Sequence, residues 1–160
     1  MLKTIRSSVF ETNSSSVHAI CISKDKPLEK HYPSTVTFQQ DYFGRSFQVL
    51  TTIGDKATYL YQAICDLSEN QKQKTEYQNY LYETLGELGI ECSFVENHDQ
   101  WCSIDHSYEL KDFLKLVMSN KNRLLRYLFS DTTIVLGSDE NDYFFDYMNE
   151  HSFENHEIFE

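Results

Sequence analysis

The chain lacks most of the signals that announce a familiar chemistry. Four cysteines, Cys21, Cys65, Cys92 and Cys102, form no C-x-x-C pair. Without a secretory signal they read as reduced thiols rather than a disulfide framework, and redox chemistry is not expected. Five scattered glycines supply neither G-x-G-x-x-G nor a Walker sequence, which excludes a glycine-rich phosphate loop. No stretch approaches the roughly 20 apolar residues that cross a bilayer, and no apolar segment follows the basic residues near the start. A cytoplasmic protein is expected. Only two prolines accompany 40% hydrophobic and 14% aromatic residues, a composition that excludes a disordered segment. At 160 residues the chain has the usual span of one domain, so residues 1–160 are expected to form one α+β unit.

Basic residues are missing from one particular region. Residues 1–126 carry 16 acids against 14 lysines and arginines, and after Arg126 there is neither lysine nor arginine. Asp131, Asp139, Glu140, Asp142, Asp146, Glu150, Glu154, Glu157 and Glu160 place almost all of the net charge of -11 in the last 34 residues. Such a field repels nucleic-acid phosphates and anionic membranes and attracts basic protein surfaces.

Strand and helix signals alternate without a repeat. "SVHAICIS" (16–23), "STVTFQQ" (34–40) and "SFQVLTT" (46–52) read as strands, with Gly44 suggesting a hairpin between the second and third. From Asp55, a plausible N-cap, the spacing of Ala57, Leu60, Tyr61, Ile64 and Leu67 predicts a helix. A second is predicted over 72–88, with Tyr77, Leu81, Leu85 and Leu88 inward and Gly89 ending it. "IECSFV" (90–95) and "TTIVLG" (132–137) read as strands, and 110–128 as one long helix or two short ones broken near Ser119 and Asn120. A helical pattern resumes near Asp142 with Ser138 or Asp139 as cap. The expected fold is a small, mostly antiparallel sheet packed against helices, with an acidic C-terminal helix.

The densest polar stretch is "FETNSSSVH" (10–18). Asparagine and serine hydrogen-bond neighbouring main chain in ordinary turns, and that accounts for one or two such residues. Six invite a second reading. Strand alternation puts Ser16 and His18 on one face, where Asn13, Ser14 and Ser15 complete a polar pocket offering hydroxyls, an amide and an imidazole.

The string "RSSVFETNSSSVH", Arg6 to His18, resembles the opening of a group of small uncharacterised proteins from low-GC Gram-positive bacteria and their phages. Echoes continue in "YLYQAI", "IDHS" and "YLFSDTTIVLGSDEN" over most of the chain. The resemblance supplies no activity. It implies that Arg6, Asn13, Ser14, Ser15, Ser16 and His18 belong to a shared site or fold element, joined by Asp105 and His106, and it implies a bacterial or phage setting.

Ser16, His18 and Asp105 are the residue types of nucleophile, base and orienter, although no G-x-S-x-G elbow places the serine. A small hydrolase or transferase is therefore the alternative reading. Cys92, His98, Cys102 and His106 follow a C-x5-H-x3-C-x3-H spacing, but zinc modules present a close cysteine pair, and two core thiols with two loop histidines are expected instead. Asp139, Glu140 and Asp142 lack the glycine and final glutamate of a calcium loop. No metal and no cofactor are expected.

The tail "SDENDYFFDYMNEHSFENHEIFE" mixes its acids with aromatics. Phe144, Phe145 and Met148 are expected to dock on the core, leaving Asp142, Asp146 and Glu150 as an exposed row at i, i+4 spacing. Like charges at that spacing weaken an isolated helix, which suggests a use for them. Together with Asp139 and Glu140 they form the expected partner-binding surface. The favoured function is an acidic phage or mobile-element accessory protein that inhibits a host nucleic-acid-binding protein, of defence or CRISPR type, by occupying its basic surface. Direct binding to nucleic acid or membrane is not expected.

Overall fold

The computed structural model of the chain describes residues 16–27 and 31–160. Arg6, Asn13, Ser14 and Ser15 lie outside these. Among the described residues the order is β1 (Ser16–Ser23), β2 (Thr35–Gln39), β3 (Gln48–Leu50), α1 (Ile53–Leu67), α2 (Gln71–Gly86), β4 (Glu91–Val95), a 3-10 turn at Ser107–Leu110, α3 (Lys111–Val117), α4 (Lys121–Phe129), β5 (Thr133–Ser138), α5 (Tyr143–Glu150) and β6 (His156–Phe159). The fold is α+β: an antiparallel sheet ordered β3-β5-β1-β6 and a separate parallel pair, β2-β4.

β1 is apolar on both faces and therefore takes a central place. Ile20 and Ile22 join Ile134, Leu136 and Leu50 in the main core under α1, α3 and α4. Val17, Ala19 and Cys21 join Val135 on the opposite face, where Phe144 of α5 is fully buried. Gly137 makes that docking possible, since a Cβ there would lie 2.8 Å from the Phe144 Cβ. The sheet is thus layered between α1, α3 and α4 on one face and α5 on the other.

α1 is buried through its middle, from Lys56 to Ile64. Its cap is Thr52, whose Oγ1 accepts from the Asp55 amide at 3.1 Å, so Asp55 falls in the first turn rather than at the N-cap. There its carboxylate faces the positive end of the helix dipole. α2 buries Leu81 and Leu85, and Gly89 at φ 75° turns the chain back into β4. The 110–128 segment is two helices, with the Asn120 side chain accepting from the Arg123 amide at 3.0 Å to start α4.

Three further expectations are corrected. β2 and β3 do not form a hairpin: β2 pairs with β4 and β3 with β5. The connection is diverted because Phe43 is drawn into the core and bridges Ile104, while the Tyr42 ring covers Gly44. At α5, neither Ser138 nor Asp139 is the cap. Ser138 Oγ accepts from the Glu140 amide in a turn, and the helix begins at Tyr143 after Asp142. The tail is not helical to its end, since residues 156–159 form β6 on the free side of β1.

No helix among the described residues is long and apolar enough to cross a membrane. All four cysteines are unpaired. Burial pushes the Cys21 thiol up to about 12 and Cys92 to about 11, which leaves both protonated and unreactive near neutral pH.

Candidate functional site

Strand alternation turns Ser16 and His18 to the same face of β1, where a loop meets them. The loop is fixed by Asp66 at the end of α1, whose carboxylate accepts from the Ile104 amide at 2.7 Å, from Ser103 Oγ at 3.1 Å and from Gln62 Nε2 at 2.8 Å. Two main-chain bonds to Phe43 complete the anchor: Phe43 donates to the Ser103 carbonyl at 2.9 Å, and Asp105 donates to the Phe43 carbonyl at 2.8 Å. Asp105 is thereby held against β1, and its carboxylate accepts from Ser16 Oγ at 2.5 Å. His106 follows at φ 59°, a left-handed conformation that histidine adopts more readily than most residues. Its Nδ1 lies 3.5 Å from the exposed Tyr108 hydroxyl.

His18 Nδ1 lies 3.0 Å from the hydroxyl of Tyr59, a fully buried residue of α1 packed edge-on against Phe43 and Phe113. Burial lowers the His18 pKa to about 4; the Asp105 charge opposes this shift and His106 adds to it. Burial also raises Tyr59 far above the usual phenol range. Both groups are neutral at pH 7. One hydrogen-bonding atom is left over, for His18 Nε2 is buried and has no partner among the described residues.

The structure thus brings Ser16, His18 and Asp105 together, with His106 beside them, but in connections other than those of a relay. A Ser-His-Asp relay needs the imidazole between hydroxyl and carboxylate. Here the serine bonds the carboxylate directly and the histidine bonds a tyrosine. A neutral imidazole of pKa about 4 is a weak base, so the arrangement is better suited to holding than to deprotonating. Tyr59, Gln62 and Asp66 were not anticipated as parts of it. The only sequence signal was "YLYQAI", which holds Tyr59, one position off the helical face read there, and Gln62.

The second feature is the outer face of α5. Phe144 anchors the helix, with Phe145 and Met148 partly buried around it, so Glu140, Asp142, Asp146 and Glu150 remain exposed. Asp139 is only partly exposed. Among the described residues no ion pair reaches Asp142, Asp146 or Glu150. Tyr143, 67% exposed, stands in this row, and Phe47 lies 6.1 Å from both the Tyr143 and Tyr147 rings. Carboxylates and exposed aromatics thus share one surface.

The residues of the C-x5-H-x3-C-x3-H spacing are spread over β4, the loop and its end, and no group of three or more metal-ligating side chains forms among the described residues. No family model, no curated protein and no solved structure matches the chain.

Proposed function

We propose that this is an acidic binding protein that occupies the basic, nucleic-acid-contacting surface of a host protein in the bacterial cytoplasm. The phage or mobile-element setting, and a defence or CRISPR-type target, rest on the resemblance of the opening string and the charge of the tail. One observation carries the reading: α5 is pinned to the sheet by Phe144 and holds Asp142, Asp146 and Glu150 outward beside Tyr143 and Phe47. Carboxylates in a fixed row speed encounter with a basic groove, and neighbouring aromatics supply anchors that are buried on contact.

The test is capture of host proteins on the immobilised chain, followed by displacement of DNA from the captured protein. The parent should displace DNA, and the effect should fade as salt shortens the screening length below the roughly 8 Å of physiological ionic strength. Asp142→Asn, Asp146→Asn and Glu150→Gln together should slow association about tenfold or more with little change in thermal stability. The same neutralisation at Glu69, Glu76 and Glu83, exposed on or beside α2, should do almost nothing. Equal effects from the two triple variants, or a complex indifferent to salt, would overturn the proposal.

The meeting of Ser16, His18 and Asp105 favours a second reading, a small hydrolase or transferase. In that case Ser16→Ala and His18→Ala abolish turnover of an ester or acyl substrate while the folded structure persists.

A further inference from the structure

A cavity of about 480 Å³ lies between β2, β3 and the first turns of α1, on the side of the sheet away from α5. Its wall includes Thr35, Val36 and Thr37 in succession, residues whose side chains alternate between the two faces of β2. A wall that takes both faces in turn runs along the edge of the strand.

That edge is open. The Glu91 amide donates to the Ser34 carbonyl and the Gln40 amide to the Val95 carbonyl, so the even-numbered residues of this segment serve the parallel ladder to β4. Thr35, Thr37 and Gln39 turn their own N–H and C=O groups the other way, into the cavity. A strand edge left like this is a template for another chain.

The remaining lining narrows what that chain is. Asp41 and Asp55 border the cavity, and no lysine or arginine lines it among the described residues. Thr58 of α1, only 5% exposed, also lines it. Next to Asp41 in the chain, Tyr42 packs against Trp101, which is 78% exposed.

We infer that this groove binds an extended, basic peptide segment, which adds as a strand to the free edge of β2 and sets its lysine or arginine side chains against Asp41 and Asp55. The inference rests on the reading of the protein as a binder of basic partners and identifies a segment that such a partner inserts. The carboxylates fix charge and register, while the main chain of β2 supplies sequence-independent affinity.

The probe is a capped peptide of about eight residues alternating valine and lysine, with a valine–glutamate peptide as control. Backbone amide resonances of Thr35, Thr37 and Gln39 should shift on titration with the lysine peptide, and their hydrogen exchange should slow about tenfold or more at saturation. The glutamate peptide should leave them unmoved. Thr37→Pro removes one edge-facing N–H while sparing the ladder to β4, and should abolish the shifts. Asp41→Asn with Asp55→Asn leaves the strand intact and should weaken binding about tenfold. Absence of shifts at millimolar peptide, or affinity unchanged by both variants, overturns the inference. Neutralising Asp142, Asp146 and Glu150 should leave peptide affinity within about a factor of two, because α5 lies on the other face. If that variant alone loses the peptide, the groove is excluded and the acidic-face reading stands. If the captured partner ignores salt while the peptide still binds β2, the reverse holds.

Discussion

Ser16 and Asp105, 89 residues apart in the chain, are joined by a hydrogen bond between hydroxyl and carboxylate that ties the first described strand to the loop before α3. Hydrogen bonds to charged groups contribute about 1.5–3 kcal/mol, so Ser16→Ala should destabilise the fold by that much in urea denaturation. Asp105→Asn keeps an acceptor and should cost less. A double-mutant cycle with Asp105→Ala should give a coupling energy near about 1–2 kcal/mol; strict additivity would show that the contact contributes nothing.

His18 makes stability depend on pH in a defined window. Its folded pKa is about 4 against 6.5 in a free chain, so the native state binds fewer protons between those values. The stabilisation is complete above pH 6.5 and is lost as pH falls towards 4, by up to about 3 kcal/mol. His18→Gln should flatten that part of the stability curve measured by denaturant titration. An unchanged slope would mean that His18 titrates as a solvated histidine.

The parts of this picture visible in the sequence are those set by local pattern. β1 could be read because "SVHAICIS" is apolar on both faces, and the same alternation paired Ser16 with His18. The break before α4 could be read because Asn120 is a good cap. Strand partners were hidden, since β2 finds β4 only after α1 and α2 have been placed, and the burial of Phe43 that diverts the chain at Gly44 depends on Ile104, far along the sequence. Tyr59 was hidden for a similar reason. It sits on a helix buried nearly all round, where a single apolar face is the wrong template. β6 is four residues long and follows an amphipathic helix whose aromatic pattern runs on into it.

Gly137 is the point at which α5 can be detached. Gly137→Ala brings a methyl group within 2.8 Å of the Phe144 Cβ, between two rigid elements. Overpacking of this kind costs about 1–3 kcal/mol, whereas Phe144→Ala, which empties the same contact, costs about 3–5 kcal/mol. Both variants should raise amide exchange in α5 and β6 before it rises in α1. Uniform exchange across the chain would mean that the outer layer has no separate stability.

Lys56 gives a dependence on pH in the same direction as that of His18, but at the alkaline end. It is 1% exposed, and its Nζ donates to the Ser130 carbonyl at the end of α4 at 2.9 Å. Burial pulls its pKa down to about 8 from 10.5, with the Asp131 charge opposing. Between those values the unfolded chain holds the proton more often than the native state, so stability rises with pH across the window. Cys21, raised to about 12 from 9.0, pulls the other way in part of the same range. Comparison with Lys56→Met removes that overlap, because Cys21 is present in both proteins. From pH 8 to 10.5 the parent should gain up to about 3 kcal/mol relative to the variant in denaturant titrations. A constant difference across that range would show that the buried ammonium keeps its ordinary affinity for the proton, and that the Ser130 carbonyl compensates for its burial.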